Sequence, residues 1–113
     1  MAKLDDATIK IIFDLQRQLL ERIDEATATE AIVFERFGEN EARLELDQLQ
    51  NSRERTTSSY SRLYRLLLRV AEAQPQANSA TLDLLAESIE QAAAINSASQ
   101  ASIQEIKRDW NLS

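Results

Sequence analysis

Four polar residues sit where two helical seams should be apolar, and they are the first candidates for chemistry in this chain: Arg53 and Thr56 in one segment, Asn96 and Ser99 in another. The first pair interrupts a three-four repeat of Leu46, Leu49, Tyr60, Leu63, Leu67 and Val70. The second interrupts Leu82, Leu85, Ile89, Ala92, Ile103, Ile106 and Trp110. Reflected about a turn near residues 76–77, the two gaps fall at the same height. Such a layer can be a buried hydrogen-bonded belt that fixes helix register at some cost in stability. Alternatively it can be a polar pocket in which Arg53 anchors a small ligand or an anion. No aromatic residue or glycine is placed to shape a cavity there, which favours the belt.

A second constellation is cationic. Arg55, Arg62 and Arg69 repeat every seven residues, with Arg65 on the same outward face. Residues 53–73 hold five arginines and two acids, whereas residues 1–52 hold twelve acids and six bases. An ordinary solvated face would pair such arginines with neighbouring carboxylates, each pair contributing little. A functional row would dock an acidic partner, because the planar, weakly hydrated guanidinium suits interfaces better than the lysine ammonium. The net charge of -6 repels a nucleic-acid backbone, so the expected partner is a protein.

Other chemistry finds no footing. Glu21, Asp24 and Glu25 share about one helical turn, but oxygen cages for hard cations usually come from loops with a tight turn. The chain has no His and no Cys, which removes histidine acid-base work, most zinc sites, the Glu-x-x-His pairs of di-iron bundles, disulfides and thiol redox chemistry. Its many Ser and Thr residues therefore lack a recognisable activating base. No catalytic residue, metal or cofactor is expected, and the chain is read as a non-enzyme. The longest apolar runs, residues 31–34 and 92–95, are too short to span a membrane, and the acidic amino-terminal stretch does not read as a signal peptide. The expectation is a cytoplasmic protein whose partner is another protein, or itself as a homo-oligomer, with no nucleic acid and no membrane.

The elements that must position these residues follow from composition. One Gly and one Pro in 113 residues leave little material for turns. The class is all-α, organised as a single helical-bundle domain over residues 1–113. Helices are predicted at about 5–37, 41–74 and 79–110, folding up-down-up into an antiparallel bundle, each about 50 Å long. In length and topology this resembles a spectrin-type three-helix unit, a resemblance that carries no functional residue with it. Asp5 or Asp6 should cap the first helix, Asn40 the second and Asn78 or Ser79 the third. Gly38 should supply the left-handed break after the first, and Gln74 and Pro75 should end the second.

The middle helix is expected to run unbroken through the Ser- and Thr-rich stretch 51–61, because its apolar spacing crosses that stretch in phase. The first helix should place Ile9, Ile12, Leu19, Ile23, Ala26, Val33 and Phe37 in its seam, with Phe13, Leu15, Leu20 and Phe34 widening it. Folding then gathers Phe34, Phe37, Leu46 and Trp110 at one end, and Phe13, Val70, Leu82 and Leu85 at the other. Ile11, Ile32 and Leu44 fall outside the seams. If Ile11 and Ile32 belong to one strip, they mark a self-association or partner face. The architectural alternative is a long helical hairpin pairing as a dimer, or, if Gly38 fails to break the helix, a rod of roughly 100 Å over residues 5–73. The functional expectation is a small acidic adaptor, regulatory or assembly module. The alternative is a sensor binding a small molecule or anion in the Arg53, Thr56, Asn96 and Ser99 layer.

Overall fold

A computed structural model describes residues 4–112. Three helices follow one another: α1 Asp6–Glu41, α2 Arg43–Glu72 and α3 Ser79–Asp109. They pack pairwise into an up-down-up bundle measuring 56 × 21 × 16 Å, so the all-α three-helix architecture is the one observed. The continuous rod over residues 5–73 is set aside, since Gly38 breaks the helix and α1 and α2 fold back on each other within one chain.

The helix ends show why the chain turns where it does. The Asp5 carboxylate accepts the Thr8 N–H at 2.7 Å, and hydrogen bonds from the Thr8 hydroxyl and backbone hold its pKa below the ordinary carboxylate value. The Asn78 side chain accepts the Thr81 N–H at 2.8 Å and starts α3 in the same way. Within the range of α1 the helix breaks at Gly38, where the break is expected. Gly38 adopts φ 81° and ψ 164°, a region open essentially to glycine alone. One further short turn then carries the chain to Ala42. Ala42, not Asn40, precedes α2, and no side chain caps it. The second helix stops at Glu72, two residues before the predicted end, and runs without interruption through residues 51–61.

The carboxyl-terminal end is not frayed as far as Leu112. Asn111 takes the left-handed conformation at φ 57°, and Leu112 N–H reaches back to the Lys107 carbonyl at 2.7 Å. Asn111 N–H bonds the Arg108 carbonyl, completing a Schellman motif that tucks Leu112 into the core.

The core divides in two. One cluster gathers Ile12, Leu15 and Leu19 of α1 with Leu63, Leu66, Leu67 and Val70 of α2 and Leu85 and Ala92 of α3. The other gathers Ala26, Val33, Ala42, Leu49, Ile103, Ile106 and Leu112, with Phe37 and Trp110 packed edge to face at a centroid distance of 4.4 Å. The row that accompanies Ile12, Leu19, Ala26 and Val33 in the seam of α1 is Leu15 and Thr29, not Ile9, Ile23 and Phe37, which are only half buried. Phe13 and Phe34 take no place in either end cluster. Both point into solvent.

Candidate functional site

The polar belt lies between the two apolar clusters. Thr56, Ser59, Asn96 and Ser99 are all buried, and the Thr56 and Ser99 hydroxyls are 3.1 Å apart, bonded across α2 and α3. Each helix has its own way of bearing this cost. The Thr56 hydroxyl also lies 2.6 Å from the Ser52 carbonyl one turn back, and Thr29 bonds the Glu25 carbonyl at 2.7 Å. The Asn96 amide donates to Gln18 Oε1 of α1 at 2.9 Å, while its own Oδ1 is buried without a partner. Of the four expected members, Thr56 and Ser99 are brought together, and Asn96 sits one turn away facing α1.

Arg53 does not join them. Its side chain leaves the core on the α1 side, where Nε lies 3.4 Å from Glu30 Oε2, an ion pair without the alignment of a hydrogen bond. Position 53 belongs to the half-buried flank of α2, along with Leu46 and Tyr60. Gln18 was missed by sequence reasoning. Once Leu15 and Thr29 are known to complete the α1 seam, Gln18 falls on the edge facing α3, which is where a partner for Asn96 is needed.

The Thr56–Ser99 contact allows a direct test of what the belt contributes. Thr56→Val keeps the shape but strands the Ser99 hydroxyl, and should cost about 1–3 kcal/mol in urea denaturation. Adding Ser99→Ala should shrink that loss, because no buried donor is then left unpaired. A loss that simply adds would mean that the two hydroxyls are uncoupled.

Two of the three carboxylates of the acidic turn of α1, Glu21 and Glu25, are paired with basic side chains. Glu21 takes Arg17 at 2.7 Å, and Arg22 reaches both Glu21 and Glu25 at 3.6 Å. Glu25 also faces Gln104 at 3.4 Å and Lys107 at 4.0 Å, both on α3.

The arginine row is different. Arg62, Arg65 and Arg69 line the α2/α3 groove with Leu66 and Leu84. Arg55 continues the same groove beside Glu54, Ser58, Ser59, Gln91 and Ile95, Glu54 being the one acid that lines it. Among the described residues none of these four arginines has a carboxylate within 4.0 Å, a state they share with Lys10, Arg36, Arg43 and Arg108, whereas Arg17, Arg22, Arg53 and Lys107 each have one. What sets the four apart is that they line one groove. The row spans about 21 Å of helix.

The apolar surface is laid out differently from the expected pair. Ile11, Ile32 and Leu44 are exposed. However, Ile11 and Ile32 share a heptad row with Gln18 and Glu25, both of which engage α3, so no continuous strip joins them. The strip runs instead along the α1/α2 face opposite α3. Phe13, Leu20, Phe34, Tyr64 and Leu68 lie on it, each with 43–57% of its surface in water. Among the described residues no helix is long and apolar enough to cross a membrane. No protein-family model, no curated protein and no solved structure matches this chain, so what it does must be argued from its own residues.

Proposed function

We propose that this chain is a non-enzymatic protein-interaction module of the cytoplasm, an adaptor, regulatory or assembly subunit that docks an acidic partner along the α2/α3 groove. The observation that carries this reading is the clustering of Arg55, Arg62, Arg65 and Arg69 along one groove with no carboxylate within 4.0 Å among the described residues, in a protein whose net charge is -6. Leaving four planar cations unpaired while carboxylates are abundant elsewhere keeps their donors free for an incoming acid. Leu66, Leu84 and Ile95 in the same groove offer the apolar floor that a docked helix needs. A chain without cysteine suits a reducing compartment.

The sensor reading has weaker support, since Thr56 and Ser99 are spent on each other and Arg53 pairs with Glu30. For the docking reading, Arg62→Glu combined with Arg69→Glu should abolish capture of partners from a nuclease-treated extract while helicity stays unchanged. Wild-type capture should weaken as salt screens the row. Capture that survives both the charge reversal and high salt would exclude the row as the docking surface.

A further inference from the structure

We infer that the end of the α2/α3 groove enclosed by Arg62, Arg65 and Arg69 is a phosphate site that takes a phosphorylated side chain of the docked partner, an inference that rests on the docking reading. The two ends of the groove differ. Around Arg55 the lining includes Glu54 and the polar side chains of Ser58, Ser59 and Gln91. Further along α2 it reduces to Arg62, Arg65, Leu66, Arg69 and Leu84: three guanidinium groups, two leucines and no acid. Glu72 and Glu87 follow Arg69 and Leu84 by about one turn, yet neither lines this concavity. Among the described residues no carboxylate lies within 4.0 Å of the three arginines.

Bringing these cations together costs stability. Arg62 and Arg65 are three residues apart and Arg65 and Arg69 four, the spacings at which like charges on a helix repel. All three start within about 10 Å of helix length. An incoming anion relieves the repulsion, and the charge it must carry follows from theirs. One carboxylate leaves about two positive charges over, whereas a phosphomonoester, at about -2 near neutral pH, leaves about one.

The donors point the same way. Each guanidinium presents a planar fork of N–H groups, and a carboxylate has only two oxygens for three forks to share. A phosphomonoester offers three strong acceptor oxygens, which separate forks can approach from different sides. Buried Leu66 and half-buried Leu84 add apolar surface, beside which ion pairs are less screened than in open water. The concavity holds about 330 Å³, near the lower end of the about 300–1,000 Å³ of small-ligand pockets, so it suits one side-chain group and not a whole helix. A nucleic-acid backbone also carries phosphate, but its diesters bear one charge each and the net charge of -6 repels it. Arg65 is the telling member. It stands outside the seven-residue repeat of Arg55, Arg62 and Arg69, along which a helix with evenly spaced acids would pair.

The test uses phosphoserine capped as its N-acetyl amide, followed on the arginine Nε–H signals of the full chain labelled with nitrogen-15. Capped phosphoserine should move Arg62, Arg65 and Arg69 together along one saturable curve. Its affinity should exceed that of capped glutamate at equal ionic strength by about tenfold or more, the difference expected for one hydrogen bond to a charged group. Arg65→Gln should remove that advantage at unchanged helicity. Equal affinity for capped glutamate, shifts spread evenly over Arg36, Arg43 and Arg108 as well, or an Arg65→Gln variant that binds as wild type does would each overturn the phosphate site.

The source of the phosphate is read in the extract. Phosphatase treatment should abolish what the wild-type row captures. Capture that survives phosphatase, yet is lost in Arg62→Glu with Arg69→Glu, would overturn the phosphate site and leave the acidic-partner reading standing. Capture that survives the charge reversal would remove that reading itself. Binding to phosphatidylserine vesicles that Arg65→Gln abolishes would assign the concavity to a lipid headgroup and would likewise overturn the inference.

Discussion

Gly38→Ala is expected to destabilise the α1–α2 hairpin and lengthen the particle. Gly38 sits at φ 81° and ψ 164°, and a side chain built there meets nothing within 4 Å, so the penalty is one of backbone conformation and not of space. Holding an L-residue in that region costs about 1–3 kcal/mol. The same substitution gains about 1 kcal/mol wherever position 38 is helical. The two effects add, moving the balance between hairpin and continuous helix by about 2–4 kcal/mol. A continuous helix over α1 and α2 would be about 100 Å long, against 56 Å for the bundle. Its α2 segment would then have to pack on α1 of another chain, which is a domain swap. Small-angle scattering at high protein concentration should show the longer species. An unchanged scattering length together with an unchanged melting temperature would mean that the turn does not depend on glycine.

The second large effect is expected in the core beside the belt. Leu63 is fully buried, and with Thr56 level with Ser99 the residue level with it on α3 is Ala92. Leu63→Ala would set two alanines against each other in the cluster that Leu85 and Ile89 of α3 also join. Deletions of this kind cost about 2–5 kcal/mol. A domain of this size has a total stability of roughly 6–17 kcal/mol, so a large share would be lost. The melting temperature should fall by about 10 °C or more. A change of only a degree or two would show that the helices collapse around position 63 and that the cluster is more plastic than its packing implies.

How far the fold is legible in the sequence depends on the kind of signal. Helix number and order come from the scarcity of breakers, and the Asp5 and Asn78 caps from local chemistry that needs no tertiary contact. The continuity of α2 is legible because Leu49, Thr56, Leu63 and Val70 keep a seven-residue beat through the Ser- and Thr-rich stretch. The companion row of α1 is not legible in the same way. Ile9, Ile23 and Phe37 are as apolar as Leu15, and which row is buried depends on where α3 docks. That choice puts Phe13, Leu20 and Phe34 on the surface, where composition would have hidden them.

Arg53 illustrates the same limit at the candidate site. It interrupts the spacing of α2 as Thr56 does, yet a long charged side chain at the edge of a seam can reach Glu30 and leave the core, whereas a threonine cannot. The heptad of arginines is visible in the sequence. That its members lack carboxylate neighbours is a property of the packed groove.

The belt has a further consequence for how the molecule comes apart. Apolar contacts couple residues cooperatively only where they are continuous, and here they stop at Thr56 and Ser99 and begin again beyond them. The bundle should therefore open as two units in series, joined at the hydroxyl layer, with hydrogen exchange expected to protect the two ends unequally. Fluctuations that open the Phe37 and Trp110 end need not reach the Leu63 and Val70 end, which backs Arg62, Arg65 and Arg69. Substitutions that loosen one end are thus free to accumulate while the other keeps its shape.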